Sequence, residues 1–450
     1  MIGLLLGGSL AGLFALGVPI ALALTLASAL ALQAQGIPLN AVVQRMFTAL
    51  DSFPLAAIPF FILAGCLMER SGISLRLVAF ARAMIGRRTG GLALVTVVAA
   101  MFFSAISGSS AATTAAIGTI LIPAMVRHGY PRPFATSVQA ASGELGVIIP
   151  PSIPMIIFAL TAGVPVSIGD MFIAGIVPGL LIALSLMLTA RLISQRSGFG
   201  ETAVTAPPSA ETDPAAPRGA SGADAGSVDR IASRREAFLQ AALALLMPIL
   251  VLGGIYGGVF TPTEAAMAAV GYAFVLGAFV YRSLTLSKLY AAFSDALIAS
   301  VAILTIIAAA NLFGWVLTIN QIPGAVTAMF LAISDNPIVF LLMVNLLLLL
   351  IGMFLETGAA IIILAPTLTP VAMAFGIPPV HFGIVMIVNL AIGMTTPPLG
   401  VNLFVACQIA GLRVEKILRS MLPFYAALLL NLLLITYLPA LSLTLPSLLR

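Results

Sequence analysis

SGELGVIIPPS at residues 142–152 and NLAIGMTTPPLG at residues 389–400 each place a glycine ahead of a Pro-Pro pair inside an apolar run. Proline removes an amide donor and displaces the preceding turn from ideal helix, so carbonyls are left free at both places. Inside a bilayer such a break is tolerated only where protein or a water-filled cavity satisfies the freed groups. The two stretches therefore mark functional positions, provided that the chain lies in lipid.

Composition supplies that condition. Of 450 residues 61% are hydrophobic, against 20 Lys and Arg and 15 Asp and Glu. Residues 195–236 hold 11 of these charges, which leaves 24 for the other 408 residues. Water is not the main solvent of such a chain. At about 20 apolar residues per span, there is room for about ten crossings. A water-soluble enzyme and a fibrous protein are excluded. So is a β-barrel, because LLMVNLLLLLIGMFL (341–355) is apolar on every side where a barrel strand would alternate. Cys66, Cys407, His128 and His381 are scattered, so neither a disulfide framework nor a metal-ligand spacing is present and no cofactor is expected. The net charge of +5 is read through the loops that carry it and gives no reason to expect nucleic acid.

Apolar runs predict spans near 3–33, 51–70, 134–160, 168–194, 238–258, 265–282, 298–320, 381–408 and 421–445, the first of them an uncleaved span rather than a signal peptide. In 90–126 and 337–375 an apolar helix instead meets a small polar patch, SGSS (107–110) or ETGA (356–359), and then a second short helix. Each reads as a re-entrant hairpin. With both hairpins returning to the side they entered and a cytoplasmic N-terminus, 18 Lys and Arg collect on one side and only Arg45 and Arg450 on the other. Residues 195–236, rich in Pro, Ala, Gly and Ser, read as a flexible cytoplasmic linker. Thr261-Pro262-Thr263-Glu264 reads as a capping box, and LRLVAFARAMIGRR (75–88) as an interfacial support helix.

Sliding the chain against itself by 247 residues superimposes Pro123 on Pro370, Gly129 on Gly376, Pro131 on Pro378, Gly146 on Gly393 and Pro150-Pro151 on Pro397-Pro398. A shared Gly/Pro skeleton with different apolar filling indicates two copies of one unit. The charge count opens the first hairpin toward the cytoplasm and the second toward the outside, so the copies are expected to be inverted. The expected fold is an all-α polytopic membrane protein, an inverted-repeat secondary transporter with two re-entrant hairpins and broken helices. The predicted divisions are 1–88, N-terminal spans and interfacial arm; 89–160, first hairpin and broken helix; 161–194, a span; 195–236, the linker; 237–335, scaffold spans and arm helix; 336–408, second hairpin and broken helix; and 409–450, the C-terminal span.

Free carbonyls and hydroxyls at membrane depth make a hard-oxygen cage suited to Na+, whereas half-helix N-termini suit an anion. The Na+ candidates are Ser107, Gly108, Ser109, Ser110, Gly143, Gly146, Thr357, Gly358, Gly393, Met394, Thr395 and Thr396. The candidates for holding the transported anion are Ser110, Pro150, Pro151, Ser152, Asn389, Thr396, Pro397 and Pro398. Glu144 and Glu356 are costly in a membrane, and each is read either as an ion or proton group or as a helix cap. No Lys or Arg sits at either break, so an organic anion there would rest on helix dipoles and backbone amides. No catalytic dyad or metal cluster supports an intramembrane enzyme.

LGVPIALAL (16–24), DSFPLAAIPFFILAG (51–65), SGSSAATTAAIGTILIPAM (107–125), PPSIPMIIFAL (150–160), GGVFTPTEAA (257–266) and GIPPVHFGIVMIVNLAIGMTTPPLGVNLFVAC (376–407) together resemble the large membrane subunit of tripartite ATP-independent periplasmic (TRAP) transporters. The resemblance implies Na+-driven uptake of an organic acid such as a C4-dicarboxylate across the bacterial inner membrane. It also implies a small membrane subunit, a periplasmic substrate-binding protein and an elevator movement of the hairpin-bearing domain. The linker is longer than that family's usual one. A stand-alone Na+- or H+-coupled dicarboxylate or citrate carrier of similar inverted-hairpin fold is the alternative.

Overall fold

Helix breaks fall where glycine or proline interrupts the apolar runs. The computed structural model describes residues 2–86, 90–199 and 234–449, and among them every regular element is helical. The chain opens with α1 (Ile2–Ala15) and α2 (Ile20–Ala34), which pack on each other. One span was expected over 3–33. Gly17 instead ends α1 at a φ of +74°, and Pro19 lacks the amide to continue it. No Lys or Arg precedes Arg45, so the charge asymmetry is the same for one helix or two.

Next come α3 (Asn40–Leu50), α4 (Ala57–Arg70) and α5 (Ile73–Ile85). The first hairpin is α6 (Gly91–Ser107) and α7 (Ser110–Arg127), joined through Gly108 at a φ of +62°. Helix α5 packs along α6. Helices α8 (Arg132–Gly143), α9 (Leu145–Ile148) and α10 (Ile153–Thr161) form the first broken span, bent by 44° at the prolines. Helix α11 (Ile168–Ser197) comes next. It buries Ile182, Ala183, Leu186 and Ala190 and turns Leu180, Leu184, Leu188 and Leu192 outward at four-residue spacing. An exposed leucine stripe of that kind belongs against lipid. Most of the linker predicted at 195–236 lies outside the described residues.

The second half begins with α12 (Arg234–Tyr256) and α13 (Pro262–Val275), and α13 starts on the expected capping box. The Thr261 hydroxyl accepts from the Glu264 amide at 3.3 Å, and the Glu264 carboxylate accepts from the Thr261 amide at 2.8 Å. Helix α14 (Leu286–Ile319) runs 34 residues without a break, longer than the span expected at 298–320. It is followed by α15 (Ile322–Ile333) and, after a turn of 116°, by α16 (Pro337–Gly352), which meets α17 (Thr357–Ala374) at the tip expected of the second hairpin. The second broken span is α18 (Pro379–Gly393) and α19 (Val401–Ala410). The chain closes with α20 (Leu418–Tyr437) and α21 (Ala440–Leu448), interrupted at Pro439 where a single span was expected.

The displacement of 247 residues is visible in the helices themselves. It carries both ends of α7 onto both ends of α17, and the start of α8 onto the start of α18. Packing repeats the pattern reciprocally: α7 lies on α19 of the other half, while α17 lies on α10. Likewise α4 packs on α13, and α14 on α2.

Candidate functional site

Each hairpin tip is a helix start whose free amides are capped by the first residue before it. Ser109 caps α7 by accepting from the Ala112 amide at 3.4 Å, and Glu356 caps α17 by accepting from the Ala359 amide at 3.1 Å. The equivalent positions thus do the same backbone work with a neutral and an acidic side chain. Each tip also bonds to the backbone beside the opposed Pro-Pro pair. Ile153 donates to the Gly108 carbonyl and Leu399 to the Met353 carbonyl, both at 3.3 Å.

Glycine permits this contact. A β-carbon at Gly146 would lie 2.3 Å from the Ser109 carbonyl oxygen, and one at Gly393 would lie 2.4 Å from the Gly352 carbonyl carbon. Neither contact is feasible against backbone, so only glycine lets tip and broken helix approach. Both Pro-Pro bonds are cis.

The tips meet at Met394. Ser110, at the start of α7, and Thr357, at the start of α17, both direct their hydroxyls at its sulfur, at 3.6 and 2.9 Å. Of the other hydroxyl candidates, Ser107 bonds to Thr113 at 3.0 Å, and Thr396 donates to the Ile392 carbonyl at 2.9 Å. The fully buried Thr395 donates to a Glu144 carboxylate oxygen at 2.5 Å, which joins the two broken helices. Thr114 lies against Gly143, where a β-carbon would be 1.8 Å from its hydroxyl.

Beside the tips lies a cavity of about 320 Å³, bounded by Gly108 and Ser109, by Val147 and Ile157, by Glu356 and Gly358, and by α14 at Ala299–Ile306. Glu356 lines this space and is exposed. No Lys or Arg lines it among the described residues. The anion candidates lie in several places. Pro150, Pro151 and Ser152 are buried behind the first tip, and Ser152 donates to the Val147 carbonyl at 2.6 Å. Pro397 is half-buried and Pro398 exposed.

Asn389 is withdrawn into the interface of α16 and α18. Its amide donates to the Asn345 side chain at 2.7 Å and to the Val385 carbonyl at 2.9 Å, so it is a packing contact there. Asn345 in turn donates to Thr436 at 3.1 Å, and His381 pairs with Ser442 at 2.7 Å. Sequence reasoning missed this network, the α14 wall and the role of Gly352. Only Gly352 had a readable signal, as a glycine closing an apolar helix before a polar tip.

Long apolar helices, a lipid-facing leucine stripe, helix tips that end inside the molecule and a cavity between them define a multi-span transporter permease. Residues 8–441 match the family model of the tripartite ATP-independent periplasmic transporter, DctM component. The chain belongs to that family and is a TRAP transporter large permease, not an enzyme. It is 43% identical to the isethionate TRAP transporter permease protein DctMQ of Oleidesulfovibrio alaskensis, over 95% of this chain and 64% of that longer one. The C4-dicarboxylate TRAP transporter large permease protein DctM of Pseudomonas aeruginosa is 41% identical over 90% and 88% of the two chains. The sialic acid TRAP transporter large permease protein SiaM of Vibrio cholerae is 36% identical over 97% and 96%. Among solved structures, the YdaH transporter of Alcanivorax borkumensis shares the fold, with a TM-score of 0.62 at 18% identity, over 90% and 88%.

Proposed function

We propose that the permease takes up an organic acid across the bacterial inner membrane in symport with Na+, accepting it from a periplasmic binding protein and working beside a small membrane subunit. Family membership supports the tripartite arrangement. Relatives named for C4-dicarboxylate, sialic acid and isethionate support an anionic cargo without deciding which. The observation that carries the reading is the meeting of both tips on Met394 beside the cavity. Helix starts aimed at one place offer amides to an anion, and the carbonyls around Gly146 and Gly393 offer oxygen to Na+.

In this reading the two halves are related by a pseudo-two-fold axis in the membrane plane, which the reciprocal packing supports. Residues 89–160 and 336–408 form the moving body of an elevator. The hydrogen bonds from Asn345 and His381 to α20 and α21 favour counting 409–450 with it. The neutral Ser109 cap leaves the dipole of α7 free to attract the anion. The Glu356 carboxylate offsets that of α17 and favours Na+ instead. Ser107, Gly108, Ser109, Ser110, Gly143 and Gly146 then serve one ion, and Thr357, Gly358, Gly393, Met394, Thr395 and Thr396 the other.

Proteoliposomes containing both membrane subunits test this. With binding protein outside, organic-acid uptake is expected only under an inward Na+ gradient. Uptake driven by a proton gradient alone would remove Na+ from the mechanism. Equal uptake without any binding protein would favour the stand-alone carrier.

A further inference from the structure

A second group of buried polar atoms, on residues that do not line the cavity, lies where α7, α8 and α19 pack together. Thr114 Oγ1, Gln139 Oε1, Glu144 Oε2 and both side-chain polar atoms of Asn402 have no hydrogen-bond partner among the described residues, and all four residues are fully buried. Native interiors rarely leave such atoms unpaired, and four on adjoining elements require a cause.

Their segments are tied together by observed contacts. Gln139 donates its amide to the Thr113 and Thr114 carbonyls at 3.3 and 3.2 Å. Exchanging its oxygen and nitrogen would set Oε1 against two carbonyls, so Oε1 is directed elsewhere. Thr114 lies against Gly143, the neighbour of Glu144, and Glu144 reaches Thr395. The Asn402 amide in the first turn of α19 donates to the Met394 carbonyl at 3.0 Å. A proton on Glu144 Oε1 can pass a hydrogen bond through Thr395, which lies 2.8 Å from the Ile392 carbonyl, yet Oε2 still has no partner.

The repeat gives an independent argument. Displaced by 247 residues, Thr114, Gln139, Glu144 and Asn402 correspond to Ile361, Met386, Ala391 and Met155, and Thr395 corresponds to Ile148. Every counterpart is apolar. The fold is thus built at these positions without polar groups in one half, and packing alone does not call for them in the other.

We propose that Thr114, Gln139, Glu144 and Asn402 form a buried cation site that takes Na+. Neutral oxygens with a single carboxylate and no cationic side chain suit a hard monovalent ion, which leaves the site without net charge. The choice of Na+ rests on reading the permease as Na+-coupled. The site itself rests on the unpaired oxygens and the broken symmetry. It lies between elements of both halves, so filling it stiffens the junction behind the tips before cargo arrives.

The test is thermal unfolding of the complete purified membrane complex titrated with Na+ against a K+ background, with uptake measured separately. In Gln139→Met, which installs the counterpart's residue, and in Glu144→Gln, the Na+ concentration for half-maximal stabilisation should rise at least about tenfold. Ser109→Ala removes a tip hydroxyl and should shift the Na+ dependence of uptake, whereas Gly271→Ala, where an added β-carbon meets nothing within 4 Å, is the control that should leave both Na+ titrations unchanged. A Na+ titration in Gln139→Met and Glu144→Gln like that of the parent overturns the site. So does a Glu144→Gln variant that loses only a pH dependence, which would assign a proton to Glu144. If Glu144→Gln does not fold, Gln139→Met decides alone. An unchanged Na+ dependence of uptake in Ser109→Ala refutes the tip ion sites and leaves this one standing.

Discussion

The two hairpin tips share a backbone and differ in nearly all their chemistry. The first is capped by Ser109, stands against the buried Pro150-Pro151 pair and has Glu144 in the helix beyond it. The second is capped by Glu356, stands against a pair whose Pro398 is exposed and has Ala391 where the first has Glu144. What the copies keep are glycines at close approaches, prolines at breaks and a residue able to cap. Backbone geometry is held by residues that act locally, and this leaves the polar side chains free to diverge between the halves.

The shared part is where the largest effects are expected. Gly146→Ala and Gly393→Ala each drive a β-carbon into backbone at 2.3 and 2.4 Å, so the tip must move. Each should cost about 1–3 kcal/mol of stability, as overpacking does. Uptake should be lost in both, because tip geometry is what the ion sites and cavity depend on. Gly271→Ala, which meets nothing within 4 Å inside α13, is the control and should be neutral or slightly stabilising. Proteoliposome uptake together with thermal unfolding separates these outcomes. Loss in only one of the paired variants would mean that the halves are not equivalent even in backbone.

The divergent part gives the next effect. Asn389→Leu leaves Asn345 Oδ1 without its donor in a buried interface, and about 1–3 kcal/mol of destabilisation is expected. Its counterpart Ser142 donates only within its own helix, to the Val138 carbonyl at 2.7 Å, so Ser142→Ala should cost less. Equal melting temperatures for the two variants would show that the Asn345–Asn389 link carries no stability.

These contrasts also mark how far the sequence could be read. The hairpins, their tips, the broken helices and the cap at Thr261 were legible from Gly, Pro, Ser and Thr, because these residues determine their own backbone or the next turn. The break at Gly17 and Pro19 was equally local and was missed because the apolar run across it is long enough for one span. Displaced by 247 residues, the break between α12 and α13 falls on 10–14, inside α1, so the repeat does not locate it either. Long-range partners were not legible. Nothing in an apolar run says that Met394 stands between Ser110 and Thr357, or that Asn389 turns toward Asn345 and away from the cavity. Those contacts depend on which helix faces meet, and an all-apolar helix shows no preferred face.

The caps give a smaller, more specific effect. Glu356→Gln keeps an oxygen to accept from the Ala359 amide and removes only the charge, so the fold should be nearly unaffected. Losing the charge that favours Na+ at the second tip should raise the Na+ concentration for half-maximal uptake by about 3- to 10-fold, equivalent to about 0.7–1.4 kcal/mol. Ser109→Asp places the second tip's type of cap on the first and should weaken cargo binding more than Na+ binding. If Glu356→Gln and Ser109→Asp alter the same parameter, the reading that the anion rests on the first tip rather than the second, with Na+ at both, is wrong.

The smallest effect is expected where the halves are joined. Residues 200–233 lie between α11 and α12, outside both copies of the repeat, and their composition offers little apolar surface to bury. Replacing 203–229 with a Gly/Ser tether of the same length keeps the reach of the connection while removing every side chain that could dock. Uptake rate and membrane insertion should both stay within about twofold of the parent, since a tether of matched length changes neither span geometry nor the tips. Normal insertion with lost uptake would show that this segment contacts a partner or the moving body. The two halves would then be coupled through their connection as well as through the packing of α7 on α19 and of α17 on α10.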